Sequence, residues 1–447
     1  MNNNVNQSLQ VPYAPYRIKT DETTGGQIIY PPSGRVFKLN RHMVNLLNLC
    51  DGWHTFEEIL EHIGKAGAIS LDKLKTKIGP LMAKMTEDGL IWWREERIRH
   101  FNVYPPKLVY FDVTMRCNLR CTHCGVAAGE PLLNELSTEE ALHVVDQMVE
   151  AGVESIAFSG GEPLLRKDLF EIADRARRKG ILTDLATNGT LITPEMAQRI
   201  AETFGNVQVS LDGSNAEIHD ELRGCRGAFD NTVEGIGNLQ EAGIPFMLGC
   251  VIHKKNLNDV ESVAKLAASL GAQSLRLIHY VPFGRGRTAP ELEPDPQDLC
   301  SLARTVHKIR EEGYIEMSEV NFEFLFTPPE PITEEILNGP IGCGGGWSSL
   351  TISPEGEVLP CSFFAGMRGE SIREKTLTEI WTNSKLINFW RSLRVKEIGG
   401  KCGGGCKWLS QCKGGCPAAN FAHGAVFKPN VQCFLTQEEA AAGIPVA

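Results

Sequence analysis

The 447-residue sequence contains no run of about 18 apolar residues, so no helical membrane span is expected. It has no excess of basic residues. Lys plus Arg number 45 against 55 Asp plus Glu, a net charge of −10, and no overall positive field points to nucleic acid. Hydrophobic residues are not scarce, at 42% against 22% charged, which excludes a disordered chain and favours compact domains. The first residues, MNNNVNQSLQ, lack the basic start and apolar stretch of a secretory signal, so a cytoplasmic location with reduced thiols is expected. Against these absences stand 14 cysteines. In a reducing compartment, clustered cysteines most often ligate metal.

They are clustered. Cys117, Cys121 and Cys124 lie within eight residues, and seven more lie between Cys343 and Cys433. Cys50, Cys225, Cys250 and Cys300 are scattered and read as small buried hydrophobes.

The length implies two or three domains, and the patterning divides the chain. Residues 12–95 carry short β-rich runs at 16–19, 27–30 and 35–39, then three helical stretches opening at Asn40, at Thr55 and at Leu71. Thr55 with Glu58 forms a capping box. Strands followed by three helices resemble a small winged-helix module. Residues 104–290 alternate β-rich runs, at 108–114, 155–159, 182–187, 207–211, 246–252 and 275–280, with amphipathic stretches at 138–150, 169–179, 194–203 and 259–270. Six β–α repeats predict an α/β fold, an open partial (β/α)6 barrel of the TIM type, with its chemistry at the C-terminal ends of the strands. Residues 291–342, rich in Pro and Glu with one helix, read as a linker. In residues 343–447 Gly and Cys dominate and periodicity fades, so metal ligation is expected to supply stability.

Cys117-x3-Cys121-x2-Cys124 begins just past the first barrel strand. Three thiolates at this spacing can each bind one iron of a [4Fe–4S] cube and leave the fourth iron open. Zinc is the alternative, with His123 as fourth ligand, but its adjacency to Cys124 makes joint coordination awkward. Gly160-Gly161-Glu162-Pro163 ends the second strand, where two glycines allow close backbone approach to a ligand. Together the triad and this GGEP segment resemble the radical S-adenosylmethionine (SAM) superfamily.

The resemblance implies that Cys117, Cys121 and Cys124 hold a [4Fe–4S] cluster and that Gly160, Gly161, Glu162 and Pro163 contact the methionine amino group of SAM. Ser210 and Asp212, in VSLDG, look like ribose contacts, Arg223 like a partner of the methionine carboxylate, and Asn188, in ATNG, like a further SAM contact. It implies reductive cleavage of SAM to a 5′-deoxyadenosyl radical that takes hydrogen from a substrate, with electrons from a donor such as ferredoxin or flavodoxin. No side chain is singled out as a catalytic acid or base.

Cys343, Cys361, Cys402, Cys406, Cys412, Cys416 and Cys433 resemble the SPASM extension of such enzymes, which holds up to two auxiliary [4Fe–4S] clusters. That resemblance implies a first cluster on Cys343, Cys361 and Cys416, one ligand short, and a second on Cys402, Cys406, Cys412 and Cys433, three clusters in all. An open iron, a non-cysteine ligand or Cys300 could complete the first. The pair Cys402-x3-Cys406 is one residue wider than usual in the family, with an extra glycine to close it. Some relatives have an acidic residue where Ser362 stands.

Residues 39–59, LNRHMVNLLNLCDGWHTFEEI, resemble the PqqD-like family, which binds the leader segment of ribosomally made precursor peptides beside its third strand and last helix, here 36–39 and 71–85. A module that merely packs on the barrel is the plainer reading. The combination implies a peptide maturase acting on a leader-bound precursor. The alternatives are modification of a small molecule such as a porphyrin, heme or quinone precursor and, from another class, a DNA-binding iron–sulfur sensor using Lys73, Lys75, Lys77 and Lys84.

Overall fold

The computed structural model describes residues 11–21, 25–30, 33–67, 69–94, 97–98, 101–318, 329–403, 405–424, 433 and 435. Glu95 and Glu96 after the first module, Gly404 of the widened cysteine pair and most of the tail beyond Gly424 lie outside these residues.

The N-terminal module, or head, opens with β1 (Val11–Tyr13), β2 (Lys19–Asp21), β3 (Gly25–Ile29) and β4 (Val36–Leu39). Helices α1 (Arg41–Leu49), α2 (Phe56–Gly67) and α3 (Leu71–Glu87) follow, and β5 (Trp92–Arg94) returns to pair with β1. The capping box forms: Thr55 Oγ1 accepts from Glu58 N at 3.2 Å and Glu58 Oε2 from Thr55 N at 2.8 Å. β2, β3 and β4 make an antiparallel sheet with β4 at its edge. The lysines of α3 are exposed, and Lys75 and Lys84 are paired with Glu57 and Glu87.

Six β–α repeats then run in order. The strands are β6 (Leu108–Thr114), β7 (Ser155–Gly160), β8 (Leu182–Thr187), β9 (Asn206–Ser210), β10 (Phe246–Ile252) and β11 (Ser274–His279). Between them stand α4 (Thr138–Glu150), α5 (Leu169–Arg178), α6 (Pro194–Thr203), the pair α7 (Ala216–Arg223) and α8 (Ala228–Glu241), and α9 (Val260–Ser269). All six strands are parallel and each neighbours the next, as right-handed crossovers require. Their residues facing the helices are fully buried, among them Val109, Phe111, Ile156, Phe158, Val207 and Leu248.

The sheet does not stop at six. α10 (Pro296–Glu312) leads to β12 (Glu316–Ser318), which pairs in parallel with β11, so part of the stretch read as a linker is one more α/β unit. Beyond α11 (Glu334–Asn338), β13 (Ser349–Ile352) adds in parallel to the free side of β6, followed by β14 (Glu357–Leu359) and β15 (Glu370–Ser371). The C-terminal extension is thereby stitched into the barrel sheet, which reaches ten strands.

The expectation that periodicity is lost after Cys343 is corrected by α12 (Leu377–Asn383) and α13 (Lys385–Ser392). Thr376 and Glu379 form a capping box, and Leu377, Ile380, Leu386, Ile387 and Phe389 are buried. Helices this short escape a periodicity search that spans 11 to 18 residues. The short helices α14 (Gly400–Gly403), α15 (Leu409–Cys412) and α16 (Pro417–Ala422) complete the described chain. None of the described helices is long and apolar enough to cross a membrane.

The head docks on this extension. Tyr13 stacks on Phe389 at 4.4 Å, Trp92 meets Phe421 edge-on at 5.7 Å, and all four belong to one apolar cluster. Lys385 pairs with Asp51 at 2.9 Å, and Arg94 donates to Ser392 Oγ at 2.6 Å.

Candidate functional site

β6 is irregular at its end: the register with β7 shifts between Asp112 and Thr114, which turns the chain out of the sheet into the cysteine loop. The loop is closed by backbone bonds from Cys117 N to Gly129 O (2.9 Å) and from Gly129 N to Met115 O (2.8 Å). It rests on the end of α7, where Thr122 N donates to Leu222 O at 2.9 Å. The thiols of Cys117, Cys121 and Cys124 pack around Leu119 and Ala228. Half-buried Cys225 joins the same cluster, and Cys300 is half-buried on α10, so only Cys50 and Cys250 of the scattered four are the buried hydrophobes expected.

The GGEP segment crosses this loop closely. Gly160 has φ +121°, and a Cβ there would stand 2.5 Å from Thr114 O; one on Gly161 would run into Arg116 O. The close approach that needs glycine is therefore to the protein's own backbone. The Glu162 side chain turns inward and is fully buried. It accepts from Thr187 Oγ1 (2.8 Å), Asn188 N (2.8 Å) and Leu164 N (3.2 Å), tying the ends of β7 and β8. Asn188 extends the chain to the cluster loop through Asn118 Oδ1, 2.9 Å from its Nδ2.

Ser210 ends β9, half-buried. Two residues on, Asp212 is fully buried and makes an ion pair with Arg223 Nη2 at 2.9 Å, with His123 Nε2 3.2 Å from its Oδ2, while its Oδ1 accepts from Val251 N at 2.9 Å. Burial alone would raise this carboxyl, but the Arg223 guanidinium holds it below the usual range. Arg223 also points Nη1 at the Cys121 sulfur, 3.8 Å away. Two residues read as contacts for different parts of SAM thus touch each other. Burial lowers His123, His219 and His253 to about 4, so all three imidazoles are neutral. Among the described residues, His123 Nδ1, His219 Nε2, His253 Nε2 and Arg223 Nε are buried without a hydrogen-bond partner, which suits a site for a polar ligand.

Several of the motif cysteines lie close enough to raise one another's thiol pKa. The Cys117 thiol is pushed up to about 11, chiefly by burial and in smaller part by Glu162, Cys121 and Cys124. Cys361 is raised by burial and, less, by Cys343 and Cys416, and Cys412 is pushed up to about 12, chiefly by burial and in part by Cys433, Cys402 and Cys406. Gly342 carries Cys343 against the last loop so closely that a side chain at Gly342 would strike Gly415 O. Among the described residues, no three His, Cys, Asp or Glu side chains converge on a single-ion site. Ligands of a [4Fe–4S] cluster bond different irons and need not converge on one point.

A cavity of about 340 Å³ opens where head, barrel and extension meet. Its walls include Asp112 at the end of β6, Val126 of the cluster loop, Phe283 after β11, Ser362 beside Cys361, and Arg17 and Ile29 of the head. Burial pushes the Asp112 carboxyl up to about 7, against hydrogen bonds from Ser362 and Ser159. Asp112, Asn118, His219, His253 and Arg285 are site residues that the motifs do not mark. Proximity to the triad could have suggested the first two, whereas nothing in the linear pattern singles out the others.

The Radical SAM superfamily profile matches residues 111–267, and that of the SPASM iron–sulfur cluster-binding domain matches residues 343–417. An AdoMet-dependent heme synthase of Methanosarcina barkeri is 35% identical over 331 residues, which covers 71% of this chain and 93% of the relative. A mycofactocin maturase of Mycobacterium tuberculosis is 32% identical over 344 residues, 75% of this chain and 85% of the relative. The crystal structure of Streptococcus suis SuiB bound to S-adenosylmethionine is similar in fold, with a TM-score of 0.61 at 20% identity over 94% of this chain and 98% of that one. With the cysteine loop, the barrel and the thiol-rich extension in place, these likenesses establish the chain as a radical SAM enzyme with a SPASM domain, using SAM and [4Fe–4S] clusters.

Proposed function

We propose that this enzyme is a peptide maturase: it binds a ribosomally made precursor through its head and abstracts hydrogen from the core segment in the cavity between the three modules. The observation that carries the reading is the place of the head. β4 is an edge strand, with Val36 50% and Ile29 of β3 43% exposed beside it, and Arg17, Lys19 and Ile29 of the same module line the cavity next to the cluster loop. A peptide added to that edge as a further strand would continue toward the cavity. Tethering raises the local concentration of the core segment, so the cavity itself can be tolerant. The mycofactocin maturase relative and SuiB, solved bound to the precursor peptide SuiA, support the reading, and the SuiB likeness spans the head as well as the barrel.

Cys117, Cys121 and Cys124 would hold the cluster whose open iron and bound SAM supply the 5′-deoxyadenosyl radical. Around it the chain's own residues position and exclude. Arg223 would pair with the methionine carboxylate, Ser210 and Asp212 would contact the ribose, and the backbone carbonyls of Gly160, Gly161 and Pro163 would accept from the amino group. Glu162 and Asn188 brace that wall through the bonds described above. The extension contributes two auxiliary clusters, on Cys343, Cys361 and Cys416 and on Cys402, Cys406, Cys412 and Cys433.

A second reading, modification of an iron porphyrin, is favoured by the heme synthase relative. The peptide encoded by a short open reading frame beside the gene separates the two. Micromolar binding that vanishes on deleting residues 1–95, and a mass change of that peptide on turnover, are expected. Absence of binding, with conversion of an iron coproporphyrin instead, would overturn the maturase reading.

A further inference from the structure

The cluster loop is gripped by a segment from the far end of the barrel. Beyond β11, Arg285 donates its backbone N–H to Cys124 O (2.9 Å), Nε to Cys121 O (2.8 Å) and Nη1 to Ala128 O (2.6 Å). Gly284 lies so flat on the loop that a Cβ there would stand 2.5 Å from both Cys124 O and Gly125 O, and its φ is +54°. The segment is itself held rigid, because the buried Tyr280 hydroxyl donates to Ala289 O at 2.9 Å and also contacts Gly286 O. A cysteine loop with no regular secondary structure thus has three carbonyls satisfied by one residue distant in sequence.

The residues beside it meet the other working surfaces. Phe283, Gly284 and Arg287 line the cavity, and a Cβ on Gly34 of the head would stand 2.6 Å from the Arg287 guanidinium. The fork of an arginine suits this role, because two N–H groups fixed in one plane can hold two carbonyls at a set separation, as a lysine ammonium cannot.

We propose that Arg285 is a positioning residue, holding the carbonyls of Cys121, Cys124 and Ala128 against the cavity wall so that the open side of the cluster keeps a fixed orientation toward whatever occupies the cavity. The proposal rests on the family assignment and not on the nature of the substrate.

Two measurements on the full-length chain test it, with Arg285→Ala and Arg285→Lys beside the parent. The first is hydrogen–deuterium exchange of the amides of residues 117–129 before iron loading. The second, after loading and reduction, is the SAM concentration that gives half of the SAM-induced change in the electron paramagnetic resonance spectrum. In Arg285→Ala, exchange across 117–129 should quicken and the half-point for SAM should rise, each about tenfold, with exchange across 402–416 unchanged. Arg285→Lys, reaching one carbonyl, should fall between. Unchanged exchange across 117–129 in Arg285→Ala would overturn the proposal. So would equal quickening across 402–416, which would make Arg285 a general fold contact, or a lysine variant indistinguishable from the parent, which would make charge alone sufficient.

Discussion

The two sets of thiols in this chain are held in opposite ways. The triad Cys117, Cys121 and Cys124 occupies one loop on the end of a continuous sheet, closed by backbone bonds to Gly129, by Arg120 Nη1 on Cys117 O at 2.7 Å and by Arg285. The other seven are strung along a hairpin, two short helices and turns of four-residue helix, and they meet only when distant loops such as those of Gly342 and Gly415 pack together. In the first set the protein shapes the site before metal arrives. In the second, ligation and folding are expected to be one event, since the cysteines sit on separate short elements and only Cys402 and Cys406 of the seven are fully buried.

That contrast is broken or sharpened most directly by single cysteine substitutions. Cys121→Ala should abolish 5′-deoxyadenosine formation from SAM while leaving the thermal midpoint within about 2 °C of the parent, because its loop keeps its bonds. Full 5′-deoxyadenosine yield would refute the cluster assignment. Cys412→Ala should act on stability instead. Its loop adjoins Leu409 and Phe421, which share the apolar cluster of the head, so the midpoint should fall at the large end of single-substitution effects. Iron should drop from roughly 12 to about 8 per chain. A variant that loses this iron without losing stability would show that the extension is as preformed as the barrel loop.

Phe421→Ala tests whether the head depends on the extension rather than on the barrel. Phe421 is fully buried and meets Tyr16, Trp92, Phe283 and Phe364. Its removal should cost about 3–5 kcal/mol, and the cut site for limited proteolysis should move to the exposed end of the head. Barrel strands β6 to β11 should keep their amide protection; if they lose it as well, head and barrel are one cooperative unit.

The sequence predicts the barrel well because its elements are long and periodic: β6, β8, β10, α4 and α6 stand at the expected residues. It predicts the triad because three ligands share one loop. What escapes it depends on contacts between distant segments. β12 and β13 are too short to signal strand, yet each completes an edge that the barrel leaves open. Arg285 lies 164 residues from the carbonyl its Nε binds, and the pairing of Asp212 with Arg223 depends on where α7 begins. The glycines of GGEP illustrate a third kind of miss, since the residue type is legible in the sequence while its physical reason lies in the crossing of two backbone segments.

The seam between the two thiol regions offers the finest test. Asp112, from the barrel, is buried against Ser362, which follows a cysteine of the extension, and its carboxyl is raised from 3.8 to about 7. A group whose folded value is raised binds its proton more tightly in the folded chain, so folding is favoured least where the unfolded carboxyl has ionised. The resulting loss of stability grows from about pH 4 up to the folded value near 7 and is complete above it. Asp112→Asn keeps the shape and cannot ionise, so its advantage over the parent should widen by about 1 kcal/mol between pH 6 and pH 8.5, read as a difference in unfolding midpoints. A gap that stays constant over that range would mean that the carboxyl is already ionised at pH 6, and that the seam is open to solvent rather than closed between the two regions.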